Sequence, residues 1–367
     1  MFVLPFAKEY VPEACSDTMG EPSEGEHMSG NSLQRRDLVV LGASAGGVEA
    51  LRSLVSLMPA DLPAAVLVVL HVPPTGTSAL PAILDRAGPL PARHARDGDV
   101  LSAGQILVAP PDQHLIVYDG AVTLSRGPQE NGHRPAVDVL FRSAARARGA
   151  RVVGVVLSGA LDDGAAGMVA VASRGGACVV QDFEEALYDS MPRAAHDAVE
   201  KAEVLPVTDI PDALQRLLAD AVVVPDEPAP HLMEQEAAMA DLDPSAMHDP
   251  DRPGHPSGFG CPECHGALFE IKEGTLTRFR CRVGHAWSPE SLVVRQTVAL
   301  ESALWMALRS LEEKATLSRQ LEASANDRGH GLTAARFADD ALEALTAAET
   351  LRDLIGSIGG GEEATPA

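Results

Sequence analysis

Some stretches of this chain are apolar at almost every position, and others repeat apolar residues every third or fourth. The first kind includes Leu38-Val39-Val40-Leu41, residues 64–70 (Ala-Ala-Val-Leu-Val-Val-Leu) and residues 151–157 (Arg-Val-Val-Gly-Val-Val-Leu). Runs without polar alternation fit strands buried on both faces, as in a parallel sheet covered by helices. The second kind begins with Val48, Leu51, Leu54, Val55 and Met58, whose spacing predicts a helix over residues 48–57 with one buried face. Leu268 to Ile271 and Leu276 to Arg280 flank Glu273-Gly274 and read as two strands of a hairpin. Further on, Leu292, Val293, Leu300, Leu304, Leu308, Leu311 and Leu317, with Trp305 and Met306, predict a helix from residue 289 to about 323. It opens on Ser288-Pro289-Glu290, a cap, a first-turn proline and an acid near the positive helix end. A second helix is expected over about 332–358, and the turn at 326–331 makes the pair an antiparallel hairpin.

The punctuation between these patterns divides the chain. Residues 1–36 are rich in Glu, Ser, Gly and Pro and read as a disordered leader, too short for a receiver domain; Phe2 to Ala7 is too short and too Pro-broken for a secretory core. Residues 37–223 hold the buried-strand pattern. Residues 224–257, with seven prolines among Asp, Glu, Ala and Met, read as an extended acidic spacer with a helical turn near 232–239. Residues 258–288 form a small Cys-rich module, 289–358 the helical hairpin, and 359–367 a disordered tail.

Composition narrows the function classes. The 367 residues carry a formal net charge of -23, which disfavours a general nucleic-acid binder because the phosphate backbone would be repelled. No apolar run reaches membrane-spanning length, so no membrane insertion is expected. Five cysteines, three of them clustered, point to metal in a reducing, cytoplasmic setting more than to a disulfide framework.

Candidate chemistry sits at the ends of the buried runs. Ser44 lies in Gly42-Ala43-Ser44-Ala45-Gly46-Gly47, directly after the first run. A G-x-S-x-G turn between strand and helix exposes a serine hydroxyl above the sheet edge, and the amides opening the helix face the same turn. The rival reading, a phosphate-cradling glycine turn, lacks both G-x-G-x-x-G spacing and a Walker lysine. His71 ends the second run ahead of Val72-Pro73-Pro74, and Asp162 and Asp163 follow the third. Histidine can relay the serine proton and a carboxylate can orient the imidazole. Singly, His71 also reads as a turn residue and either aspartate as a helix cap. The chain order Ser, His, Asp differs from the Ser, acid, His order of the α/β-hydrolases.

Across residues 37 to 218 these segments resemble the catalytic domain of the chemotaxis protein-glutamate methylesterases (CheB). The resemblance rests on the serine turn, Leu70-His71-Val72-Pro73-Pro74, the segment Asn131-Gly132-His133-Arg134-Pro135-Ala136-Val137-Asp138-Val139-Leu140-Phe141, Leu157-Ser158-Gly159 with Asp163-Gly164-Ala165-Ala166-Gly167-Met168, and Ser190-Met191-Pro192-Arg193. It implies an α/β fold with a doubly wound, Rossmann-like parallel sheet. Ser44 would be the nucleophile, His71 the general base and then acid, and Asp163 the orienting carboxylate. The implied reaction is hydrolysis of glutamyl γ-methyl esters on helical methyl-accepting chemoreceptors, with release of methanol and with glutamine deamidation as a related activity. Many members have threonine at the position of Ala45 and Gly-Met-Gly-Asn-Asp-Gly at that of Gly159-Ala160-Leu161-Asp162-Asp163-Gly164. Backbone amides near Ala160 remain able to serve an oxyanion, a role that needs no particular side chain. His133 and Arg193 lie in matching segments as candidates for the substrate groove or for structural roles.

Cys261, Cys264, Cys281 and His285 form a second constellation, a C-x-x-C knuckle and a second pair brought back by the hairpin. Three thiolates and one imidazole make a closed tetrahedral set suited to structural zinc; His265 should point away from it. Catalysis itself calls for no cofactor. Two other functions remain open at this level: a signalling scaffold or adaptor working through the Cys-rich and helical tail, and an esterase for other small esters. The apolar faces of the last two helices would pack on each other, on a second copy as a homo-oligomer, or on a partner helix.

Overall fold

The computed structural model describes residues 33–224, 227–248 and 254–358, with the side chains of 247 and 248 left aside. In chain order the elements are β1 (Leu33–Arg35), β2 (Leu38–Ala43), α1 (Gly47–Ser56), β3 (Ala65–Leu70), α2 (Leu80–Ala87), β4 (Ala92–His94), β5 (Ile106–Val108), β6 (His114–Tyr118), β7 (Ala121–Ser125), α3 (Val137–Arg148), β8 (Val152–Val156), α4 (Ala165–Ser173), β9 (Ala177–Gln181), α5 (Ser190–Ala198), β10 (Glu203–Leu205), α6 (Ile210–Ala219) and β11 (Ala221–Val223). Beyond these lie α7 (His231–Ala240), α8 (Pro244–His248), β12 (His255–Gly260), β13 (Ala267–Glu273), β14 (Leu276–Cys281), β15 (Ala286–Trp287), α9 (Pro289–Asp327) and α10 (Gly331–Ile358).

The central sheet has seven parallel strands in the order β10-β9-β8-β2-β3-β5-β4. Alternate residues of β2 feed two cores. Leu38 and Val40 join Leu140, Phe141, Met168, Val171 and Met191 from α3, α4 and α5. Val39, Leu41 and Ala43 join Leu51, Leu54, Leu84 and Leu214 from α1, α2 and α6. Both faces are therefore buried, which is why the strands read as unbroken apolar runs. This is the doubly wound α/β sheet expected from the sequence. Its chain reverses direction about β2, so the carboxyl ends of β3, β2 and β8 lie side by side at the crevice where such folds place ligands.

Two expectations need correction. Leu33–Arg35, inside the expected leader, pairs antiparallel with Ala221–Val223; residues 1–32 and the expected tail, 359–367, lie outside the described residues. The helical turn expected near 232–239 is a full helix, α7, and it is packed rather than part of an extended spacer, with Met233, Glu236, Ala237, Met239 and Ala240 buried. Met233 enters the core shared with α3, and Ala240 packs with Ile116, Ala136 and Val139.

Glu236 shows why α7 is held. It is 1% exposed and meets Arg278 Nη1 at 2.7 Å and Arg280 Nη2 at 2.9 Å, both on β14. Glu130, 2% exposed, accepts from Arg142 of α3 at 2.5 Å and from Arg280 at 2.9 Å. Glu273 adds a third carboxylate at the rim beside Arg278. Burial opposes the charge on Glu130 and Glu236, but the surrounding guanidiniums win and hold both carboxyls below their usual range. Buried charges compensated from three segments resist separation, because removing one partner strands the others. The Cys-rich sheet β12-β13-β14-β15 is thus fastened to the α/β body.

Within that sheet β13 and β14 pair as expected, Glu273 opposite Leu276. Beyond it, α9 and α10 form the expected antiparallel hairpin. The buried residues along the pair are Leu308, Ala315, Ser318 and Ala325 of α9 and Ala334, Ala341, Ala344 and Ala348 of α10, mostly small, while Leu300, Trp305, Met306 and Leu342 stay exposed. No described helix is long and apolar enough to cross a membrane.

Candidate active site

β2 delivers Ser44 to the sheet edge. The strand ends at Ala43, and Gly46, with φ 71°, caps α1 in the left-handed region where glycine is at ease. The Ser44 amide donates to Ser158 O at 2.9 Å, and Gly47 N donates back to Ser44 O at 2.9 Å. The Ser158 hydroxyl bonds Ala45 O at 2.8 Å and accepts from Tyr188 N at 3.0 Å, binding the serine turn to the loop after β9. Gly159 presses so closely that a Cβ there would lie 2.9 Å from Ser44 Cβ and 2.0 Å from Met191 Sδ. Its amide is committed to Tyr188 O at 2.9 Å.

β3 delivers His71. Ala43 and Leu70 are register partners, so Ser44 and His71 are the next residues on adjacent parallel strands, and the His71 amide donates to Ala43 O at 3.2 Å. The His71 side chain is 5% exposed and its Nε2 meets Asp163 Oδ2 at 2.7 Å. An ionised carboxylate only accepts, so Nε2 carries a proton, and in the neutral ring Nδ1 keeps a lone pair. Nδ1 is buried with no hydrogen bond, and the Ser44 hydroxyl bonds neither ring nitrogen. The structure therefore joins His71 to Asp163 directly and sets Ser44 beside them without a closed hydrogen bond.

Asp163 comes from the loop after β8 and is 2% exposed. Besides His71 it accepts from Val137 N at 2.7 Å, Asp138 N at 3.2 Å and Asn131 Nδ2 at 3.1 Å. Two of these donors are first-turn amides of α3, where the helix dipole favours an anion. Burial alone would raise this carboxyl, yet the His71 hydrogen bond and the nearby donors hold it far below the carboxylate range. Asp162, the other sequence candidate, faces away and accepts from Ser288 Oγ at 2.7 Å.

Neighbours that residue patterns left unassigned complete the site. The His133 ring stacks on His71 at 3.6 Å and 5°, and burial, with the charge of His71, pushes its pKa down to about 4, so it is neutral near pH 7. Asp138 is buried and accepts from Gly164 N at 2.9 Å and Gly167 N at 2.6 Å; burial beside Asp163 and Glu130 raises its carboxyl well above the usual range. Asn131, His133 and Asp138 all belong to one segment on which the resemblance rests; His133 was named there as a groove or structural candidate, Asn131 and Asp138 were not. Arg193 lies over the Phe183 ring at 4.6 Å, pairs with Asp189, and lines an open cleft with Asp162 and Glu290.

About the tail, Cys261, Cys264, Cys281 and His285 bring one ligand atom each within 4.8 Å of one another, and His265 is not in the group. Cys264 Sγ lies 3.6 Å from Cys281 Sγ; His285 Nδ1 lies 3.5 Å from Cys281 Sγ and 3.8 Å from Cys261 Sγ.

A doubly wound α/β domain with a buried His–Asp pair and a turn-borne serine at three adjacent strand ends is the class defined so far. Residues 39–214 match the family described as CheB methylesterase. A protein-glutamate methylesterase/protein-glutamine glutaminase of Symbiobacterium thermophilum is 43% identical over 192 residues, 52% of this chain and 53% of that protein. A second protein of that description, from Xanthomonas oryzae pv. oryzae, is 38% identical over 215 residues, 58% of this chain and 59% of its own. The Thermotoga maritima CheB methylesterase catalytic domain is 32% identical, with 98% of it and 49% of this chain covered, at a TM-score of 0.48. Through residues 39–214 the chain belongs to the CheB methylesterase family. It spans about half the length of the curated relatives it matches.

The position of Asp162 gives a pH test. Burial, then Glu290 and Asp163, raise its pKa to about 7 from the ordinary 3.8, against the pull of the Ser288 hydroxyl. The folded state then binds a proton that the unfolded chain has released, so the stabilisation is complete below about pH 4 and is lost as pH rises through about 7. Thermal melts of Asp162→Asn should fall less than those of the unsubstituted chain between about pH 5 and about pH 8, with Asp138 supplying a residual slope of the same sign.

Proposed function

We propose that the chain is a protein-glutamate methylesterase that hydrolyses γ-methyl esters of glutamyl side chains on helical chemoreceptors, releasing methanol, and deamidates glutamine at such positions, in chemotaxis-type signalling within the cytoplasm. The observation that carries this reading is the buried His71–Asp163 pair, with the unbonded Nδ1, at the strand end beside Ser44. The printed descriptions of the relatives support the substrate class.

In this reading His71 Nδ1 accepts the Ser44 proton as Oγ attacks the ester carbonyl. Asp163 holds the imidazole with Nε2 protonated and stabilises the imidazolium that forms. The C–O bond to the methoxy group then breaks, and the imidazolium returns its proton so that methanol leaves. Water, deprotonated by the same nitrogen, hydrolyses the acyl-serine to the glutamate carboxylate. Since Gly159 N–H is already bonded to Tyr188 O, the oxyanion falls to amides of the turn after Ser44 or of the loop from Ala160.

We also assign structural zinc to Cys261, Cys264, Cys281 and His285. A tetrahedron with Zn–S bonds of about 2.3 Å has edges of about 3.8 Å, close to the 3.5 to 3.8 Å separations among these donors. With four protein ligands the ion would have no open position and would brace the knuckle.

Methanol release from methylated receptor membranes should be robust for the intact chain and absent for Ser44→Ala, with Asp163→Asn slowed roughly 10³- to 10⁴-fold. Release that persists in Ser44→Ala rejects this assignment of the nucleophile. Metal analysis of the purified chain should find one zinc per molecule, lost in Cys281→Ser; a metal-free, fully folded chain would refute the zinc site.

A further inference from the structure

Asn131 faces two ways. Its Nδ2 donates to Asp163 Oδ1 at 3.1 Å and to Asp138 Oδ2 at 3.2 Å. Its Oδ1 accepts from Ser288 N at 2.9 Å and from Ser291 Oγ at 3.1 Å. The residue is 8% exposed, and its own amide donates to Ala286 O at 2.8 Å. Ser288 and Ser291 are the two members of the capping box that starts α9. One side chain thus connects the first turn of α9, more than 150 residues away in sequence, to the carboxylate that holds His71.

An asparagine amide has a donating and an accepting end, and its partners decide which way it points. Asp138 cannot decide it alone. Burial next to Asp163 favours its neutral form, which can donate as well as accept. The Ser288 N–H can only donate, and Ser291 Oγ already accepts from that N–H at 3.0 Å and from Ser288 Oγ at 2.8 Å, which leaves its own proton to give, to Asn131 Oδ1 at 3.1 Å or to Ser288 O at 3.2 Å. These two groups therefore require Oδ1 on the α9 side and turn the NH₂ toward Asp163.

We propose that Asn131 is a positioning residue through which the cap of α9 orients the Asp163 carboxylate, so that the C-terminal segment acts in cis on the esterase site. The proposal rests on the methylesterase reading. The Asp163 charge keeps the NH₂ on its own side, but each donor lost from α9 leaves Oδ1 less anchored, so the amide can swing and weaken the hydrogen bond that fixes the carboxylate plane. No contact to a bound ester changes, so the loss falls on turnover and not on substrate affinity.

The test is steady-state methanol release from methylated receptor membranes by the full-length chain carrying Ser291→Ala, Ser291→Thr, Asn131→Ala, or Asn131→Ala with Ser291→Ala. Ser291→Ala should lower kcat about three- to tenfold with KM unchanged. Ser291→Thr, which keeps the hydroxyl, should restore most of the rate. The double variant should be no slower than Asn131→Ala, because Ser291 acts through Asn131. Wild-type kcat in Ser291→Ala, or a further drop in the double variant that multiplies the single effects, overturns the proposal while leaving the esterase reading intact. Absence of methanol from the unsubstituted chain overturns both. Should Asn131→Ala fail to fold, the contrast between the alanine and threonine variants of Ser291 decides the matter alone.

Discussion

A carboxylate that is 2% exposed must find its solvation inside the protein, and Asp163 finds it from three directions. His71 supplies an imidazole N–H from the end of β3, α3 supplies two first-turn amides, and Asn131 supplies a side-chain amide. Leaving such a charge unpaired would cost several kcal/mol, so each donor element is held where it stands. The orientation of His71, the seating of the first turn of α3, and the close approach of the 131–138 segment all serve that single charge, while the apolar face of α3 docks the helix over the sheet. The same requirement turns His71 Nδ1 away from Asp163, where in the neutral ring its lone pair is free to accept a proton.

A second set of buried charges extends this logic to the rest of the chain. Glu130 precedes Asn131, and its partners Arg142 and Arg280 come from α3 and from the Cys-rich sheet. Through Arg278 and Arg280 the cluster takes in Glu236 of α7. Replacing such a cluster by apolar side chains can be harmless, but breaking one pair is not. Its effect is to specify register: the sheet can dock in only one way that satisfies every charge. In that way Asn131 N meets Ala286 O and the α9 cap meets Asn131 Oδ1.

The parts legible from sequence are those whose causes are local. Apolar runs gave away β2, β3 and β8 because both faces of those strands are buried, and turn residues after each run located Ser44, His71 and the pair Asp162 and Asp163 at neighbouring edges, the resemblance choosing Asp163. The β13–β14 hairpin, the Ser288 cap and the α9–α10 pair were equally plain, since spacing and capping chemistry dictate them. What stayed hidden depends on distant partners. The turn expected near 232–239 was legible as helical, but its packing into the body was not, because Glu236 is buried only by virtue of arginines more than 40 residues further on. Leu33–Arg35 carries no apolar pattern and becomes a strand by pairing with β11. Asn131 looks like a turn residue until Ser288 and Ser291 arrive from the other end of the chain.

The central claim is that Ser44 is a nucleophile activated by the His71–Asp163 pair. The most direct measurement is peptide mass spectrometry of the folded chain after exposure to a serine-directed phosphonate ester. A single covalent adduct on Ser44, formed much more slowly in His71→Ala, is the expected result. An adduct on another residue, or Ser44 labelling that proceeds equally well without the imidazole, would contradict it.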